Sequence, residues 1–92
     1  SEFAQIWDVA RGMQSGLKGW QDKYSDLKAQ QDLINRNVFM GFKDKMQLYN
    51  QIQGQKRELN TEMLKYVREM EQVISTRIGK PFSFEGYEIP AM

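Results

Sequence analysis

Residues 3–38 read FAQIWDVARGMQSGLKGWQDKYSDLKAQQDLINRNV, and this stretch decides the fold. Counted at alternating intervals of three and four residues, it carries an apolar stripe over about five heptads. The stripe positions are Phe3, Ile6, Ala10, Met13, Leu17, Trp20, Tyr24, Leu27, Gln31, Ile34 and Val38. Gln31 is the one polar member. The spacing predicts a long amphipathic helix from Ala4 to about Ile34.

A second stripe runs from Phe42 to Ile78, one residue out of step with the first. Its positions are Phe42, Lys45, Tyr49, Ile52, Lys56, Leu59, Met63, Tyr66, Met70, Val73 and Arg77. Gly79 and then Pro81 follow Ile78, the order that is typical of a left-handed helix cap and a stop. We therefore expect a second helix that ends at residue 78.

Two groups of residues in the predicted helices have two interpretations each. Lys45, Lys56 and Arg77 either lay their stems on apolar surface and keep the charge in water, or fix the pairing of the helices at a cost in stability. Gly12, Gly16 and Gly19 lie off the stripe and either weaken, kink or break the first helix, or, in the case of Gly12 and Gly16, allow a second helix to approach closely.

Residues 35–41 are rich in turn-forming residues and interrupt the heptad pattern. The first stripe is widest at its start and the second at its end, so a reversal here would bring the two wide regions together. We therefore predict an all-α fold, in which two long amphipathic helices form an antiparallel coiled-coil-like hairpin with an extended C-terminal tail. The alternative is a long parallel coiled-coil dimer.

Three segments follow from this interpretation. Residues 1–3 resemble a remnant of a cloning site, residues 4–79 form the hairpin, and residues 80–92 form the tail. The stripe is wider than one partner helix can cover, so we expect the open end of the hairpin to be covered by the tail or by a second copy in a four-helix arrangement. A homodimer is the predicted assembly. The side chains expected to hold the helices or the dimer together are Ile6, Met13, Leu17, Trp20, Tyr24, Leu27, Ile34, Leu59, Met63, Tyr66, Met70 and Val73.

Apolar residues at the predicted turn and in the tail are candidates for binding another protein. They are Val38, Phe39, Met40 and Phe42 at the turn, and Phe82, Phe84, Tyr87 and Ile89 in the tail. In each case the alternative is that they cover the end or the surface of the hairpin itself. The tail would bind a partner as an added strand or in a groove.

The composition argues against catalysis. The chain has no Cys and no His, so it lacks a thiol nucleophile, the commonest general base and the usual zinc ligands. Its 13 basic and 12 acidic residues nearly balance, which disfavours nucleic acid or a membrane as partner. No apolar run approaches the roughly 20 residues of a membrane span. We expect no cofactor, no metal, no small-molecule substrate, and an intracellular, cytoplasmic location.

The sequence therefore predicts a non-enzymatic protein–protein interaction module, a scaffold or subunit of a larger assembly. The alternative is a helical module that binds nucleic acid or a membrane surface through the central basic residues Lys43, Lys45, Lys56 and Arg57.

Overall fold

A computed structural model describes residues 1–85 of the chain and contains two helices, α1 (Glu2–Arg36) and α2 (Phe42–Ile78). They pack against each other in opposite directions, since Asp8 near the start of α1 pairs with Arg77 near the end of α2. No strand is present in the described part. The predicted hairpin is confirmed, and the parallel rod is wrong because the chain reverses at residues 37–41. The molecule measures 59 × 19 × 17 Å.

The ends of α1 lie two residues outside the predicted limits. The Ser1 hydroxyl accepts a hydrogen bond from the Ala4 amide at 3.2 Å, so the helix begins at Glu2. This is the ordinary action of a serine cap on the free amides of a first turn. α1 also runs through Gly12 and Gly16 without a break.

The limits of α2 agree with the sequence prediction at both ends. Gly79 adopts the left-handed conformation with φ of 73°, and its amide donates to the Ser75 carbonyl at 2.9 Å. Glycine has no Cβ to oppose this conformation, which explains why the helix stops here.

The main core lies at the open end of the hairpin, far from the turn. It joins both helices and the tail, and its buried members are Val9, Met13, Leu17, Val67, Ile74 and Phe84. Ile74 is fully buried. The two wide apolar regions are therefore side by side, as the sequence predicts. Toward the turn, Ile52 and Leu59 are the other buried side chains of the described residues.

Candidate protein-interaction site

The turn end of the hairpin exposes large apolar side chains. Phe39 is 97% exposed, Val38 84% and Phe42 79%, while Met40 is half-buried. We call these four residues the apolar tip. Three of the candidate partner-binding residues of the turn are thus more than three-quarters exposed among the described residues. The alternative that they cap the hairpin end is wrong for those three.

Hydrogen bonds hold the turn that carries the apolar tip. The Asn37 side chain accepts from the Phe39 amide at 3.0 Å, and the Asn37 amide donates to the Ile34 carbonyl at 3.2 Å. The first of these closes a small ring that fixes the local backbone, as Asn side chains commonly do in turns.

Asn35 connects the same turn to α2. Its carbonyl accepts from Lys45 Nζ at 3.2 Å, and its side-chain oxygen accepts from the Tyr49 hydroxyl at 3.0 Å. Both helix ends are therefore tied together just behind the apolar tip. A tip held in this way loses little conformational entropy when a partner binds it.

The tail residues lie in a different environment. Phe84 is 7% exposed and belongs to the core, and Phe82 packs half-buried against it with ring centroids 5.0 Å apart. The Phe84 amide donates to Glu71 Oε2 at 2.8 Å, and the Phe82 amide to Ser75 Oγ at 3.0 Å. These two phenylalanines therefore cover the hairpin, with Phe84 buried and Phe82 half-buried. Tyr87 and Ile89, the other tail candidates, lie outside the described residues.

Most of the predicted packing residues line the seam between the helices. Met13, Leu17 and Leu59 are buried. The remaining nine are half-buried: Ile6, Trp20, Tyr24, Leu27, Ile34, Met63, Tyr66, Met70 and Val73. The predicted set omits four side chains that are also buried: Val9, Ile52, Val67 and Ile74. Val9, Val67 and Ile74 belong to the core at the open end, together with Phe84. The stripe position of Ile52 and the widening of both stripes were the signals for them.

Each basic residue of the second stripe contacts α1. Lys45 binds the Asn35 carbonyl, and Arg77 binds Asp8 at 3.0 Å. Lys56 donates to Gln31 Oε1 at 2.8 Å and lies 5.3 Å from the centre of the Tyr24 ring. Of the four central basic residues considered for nucleic acid or membrane binding, two are thus engaged inside the chain. The other two, Lys43 and Arg57, are exposed.

The missing side chain of Gly16 lets the Tyr66 ring of α2 come close to the backbone of α1. A Cβ added at Gly16 would lie 2.5 Å from the Tyr66 hydroxyl and 2.9 Å from its Cζ, whereas one added at Gly12 would meet nothing within 4 Å. Tyr66 also packs on Trp20 with ring centroids 5.2 Å apart. The close-approach interpretation therefore applies to Gly16 and not to Gly12.

On one side of the seam between the helices, a groove is lined by Lys23, Asp26, Leu27, Gln30, Gln55, Glu58, Leu59 and Glu62. Half of these residues are charged.

Among the described residues, no group of His, Cys, Asp and Glu is arranged to hold a metal ion. In the same part of the chain, neither helix is apolar enough over a sufficient length to cross a membrane.

Comparison of the chain with protein-family models, curated proteins and solved structures gives no match.

Proposed function

We propose that this chain is a non-enzymatic protein–protein interaction module, a helical hairpin that serves as a scaffold or subunit of a larger assembly. The single observation that supports this is the apolar tip, in which Val38, Phe39 and Phe42 are each more than three-quarters exposed. Contiguous apolar side chains at one place on a surface mark interaction sites in soluble proteins. Large aromatic residues are also the side chains that dominate binding energies at interfaces.

The shape of the tip indicates the shape of its partner. The end of the hairpin measures 19 × 17 Å. A flat contact of that size covers about 300 Å², well below the roughly 800 Å² per partner of a standard interface. A partner with a pocket or groove can instead surround Phe39 and its neighbours on several sides. The proposed partner is therefore a protein with an apolar cavity that receives the tip.

The test compares three versions of the full chain as bait in lysate, followed by titration with the captured protein after purification. The versions are the wild type, Phe39→Asp, and the control Leu64→Asp. Leu64 is an exposed apolar residue of α2, away from the tip. We expect the wild type and Leu64→Asp to bind the same purified protein equally. Phe39→Asp should weaken binding by about 100-fold or more, the range of a strong interface residue.

Salt dependence separates this proposal from binding to nucleic acid or an anionic membrane. Apolar docking should change little between low and moderate salt, while binding to phosphate groups weakens steeply over that range. Parallel titrations with duplex DNA and with anionic phospholipid vesicles complete the test. Salt-sensitive binding to either one, unaffected by Phe39→Asp, would overturn the proposal.

A further inference from the structure

The C-terminal tail fills a site at the open end of the hairpin, opposite the apolar tip. Phe84 is 7% exposed and belongs to a core cluster to which both helices contribute. Phe82 is half-buried and packs against that cluster, while Ser83 between the two is exposed. The side chains thus alternate inward and outward, as in an extended peptide. We call the cluster, together with the two side chains that bind the tail amides, the tail site; its residues are Val9, Met13, Val67, Glu71, Ile74 and Ser75.

Two side chains of α2 accept hydrogen bonds from alternate amides of the tail. Ser75 Oγ accepts from the Phe82 amide at 3.0 Å, and Glu71 Oε2 accepts from the Phe84 amide at 2.8 Å. The two acceptors stand one helical turn apart, about 6 Å along the axis. Amides two residues apart in an extended chain are separated by about 6.6 Å. The tail therefore runs back along α2 with its amides in register with the acceptors.

The Ser75 hydroxyl is held in the orientation that this contact needs. It donates its own proton to the Glu71 carbonyl at 2.8 Å, which leaves its oxygen to accept from the tail. Every peptide has main-chain amides, so these two acceptors bind the backbone of the tail. The identity of the tail is recognised where its two rings are covered, as in other sites for extended peptides.

We propose that the tail site binds an extended segment of another protein that carries two aromatic side chains one residue apart, and that the chain's own tail occludes the site until such a segment displaces it. The tail itself shows the chemistry of the ligand. Terminal segments open at a lower free energy than the whole fold. Opening of the tail uncovers a contiguous apolar surface, the kind of surface that marks protein-binding sites.

The start of the tail adds one more feature of the ligand. Lys80, two positions before Phe82, pairs with Glu2 of α1 at 2.9 Å. Both side chains are exposed, so the pair adds little affinity, but it favours one direction of the segment along α2. The proposed ligand therefore has a basic residue two positions before its first aromatic residue.

The test uses a capped peptide of residues 80–85, the segment that the structure shows in the site. Calorimetric titration compares the wild-type chain with the full chain carrying Phe82→Ser and Phe84→Ser, whose own tail no longer fills the site. A tethered segment has an effective concentration in the millimolar range. The tail of the wild type competes for this reason, and the peptide should bind the tail variant at least about 10-fold more tightly.

Matched controls separate the parts of the site. A peptide with serine at both phenylalanine positions should not bind, whereas a peptide with Ser83→Ala should bind like the original because Ser83 is exposed. Adding Glu71→Ala to the tail variant should weaken binding by about 5-fold or more, since it removes one acceptor. Adding Phe39→Asp should leave binding unchanged, because the apolar tip lies at the other end of the hairpin.

The wild type provides a measurement that does not depend on the folding of the tail variant. Peptide at up to about 10 mM, above the effective concentration of a tethered segment, should speed hydrogen exchange at the Phe84 amide by releasing it from Glu71. Unchanged exchange would overturn the proposal, as would a folded tail variant that does not bind the peptide. A dimer of the wild type that is lost in the tail variant would also overturn it, by assigning the site to the tail of a second copy.

Discussion

Lys56 of α2 donates a hydrogen bond to the side-chain oxygen of Gln31 of α1 at 2.8 Å, across the seam between the helices. Both residues stand at stripe positions whose neighbours are mostly apolar, and both are half-buried. The ammonium group also lies 5.3 Å from the centre of the Tyr24 ring. A polar pair at such positions costs stability and favours the one helix alignment in which its members meet.

The double variant Gln31→Leu, Lys56→Leu should have a higher melting temperature, and its two helices should adopt more than one alignment. Apolar side chains of similar size fill the seam without burying polar groups, but they pair equally well in shifted alignments. Thermal denaturation and amide NMR spectra give the two measurements. The expected spectrum has extra or broadened signals, while the exposed control Gln30→Leu with Arg57→Leu keeps a single set. One sharp set of signals in the seam variant would show that the pair does not select the alignment.

Alanine at Gly16 and at Gly12 should have opposite effects. Gly12→Ala should stabilise the helix by up to about 1 kcal/mol, because alanine favours helices and its Cβ meets no other atom there. Gly16→Ala gains the same helix preference but forces Tyr66 to move, which costs about 1–3 kcal/mol, so its net effect should be a loss of up to about 2 kcal/mol. Urea denaturation should therefore rank Gly12→Ala above the wild type and Gly16→Ala below it.

The variant Tyr66→Phe checks the cause of that difference. It removes the hydroxyl oxygen that lies nearest to the added Cβ. In this background Gly16→Ala should cost less than in the wild type, as coupled neighbours do in a double-mutant cycle. An equal cost in both backgrounds would contradict the close approach as its origin.

Truncation of Phe84 should destabilise the fold, whereas truncation of Phe39 should leave its stability nearly unchanged. Phe84→Ala should destabilise the fold by about 3 kcal/mol, the lower end of the range for a buried phenylalanine, since the tail can partly relax. Phe39→Ala should change the free energy of unfolding by less than about 0.5 kcal/mol, because its side chain is 97% exposed. Urea denaturation measures both. Destabilisation by Phe39→Ala as large as that by Phe84→Ala would mean that the tip is part of the core.

Glu71 should control the attachment of the tail. Its carboxylate accepts the Phe84 amide at 2.8 Å in a half-buried position. Glu71→Ala removes the acceptor, and the loss should cost about 1–3 kcal/mol. Glu71→Gln keeps an oxygen in place and should cost less. Hydrogen exchange at the Phe84 amide is the local measurement: fast exchange is expected in Glu71→Ala and slower exchange in Glu71→Gln. Equal rates in all three proteins would contradict the role of Glu71.

The ion pair between Asp8 and Arg77 should contribute little to stability. Its side chains are 72% and 43% exposed, so water and salt screen the attraction over the 3.0 Å contact. Asp8→Asn should change the free energy of unfolding by less than about 1 kcal/mol. Denaturation in low and in high salt should show nearly the same difference between the variant and the wild type. A large cost confined to low salt would show that the pair is a major link between the helices.

The heptad spacing and the helix-end signals predicted some positions correctly and others incorrectly. Heptad spacing predicted that Met13 and Leu17 face a partner helix, and Gly79 and Pro81 marked the end of α2, because both signals depend on local backbone geometry. The same spacing also assigned Phe3 and Val38 to the stripe, yet both are exposed. They lie at the hairpin ends, where the partner helix is absent or turning away.

The sequence by itself determined that the chain is two long amphipathic helices with a reversal between them, since periodicity, turn residues and caps are local properties. Only the tertiary structure decided which of the ambiguous side chains are covered. Phe84 and Phe39 are the same residue type, but one lies over the seam of two helices and the other projects from their turn. Their burial depends on where distant segments meet, and that is set by the summed packing of both helices and the tail.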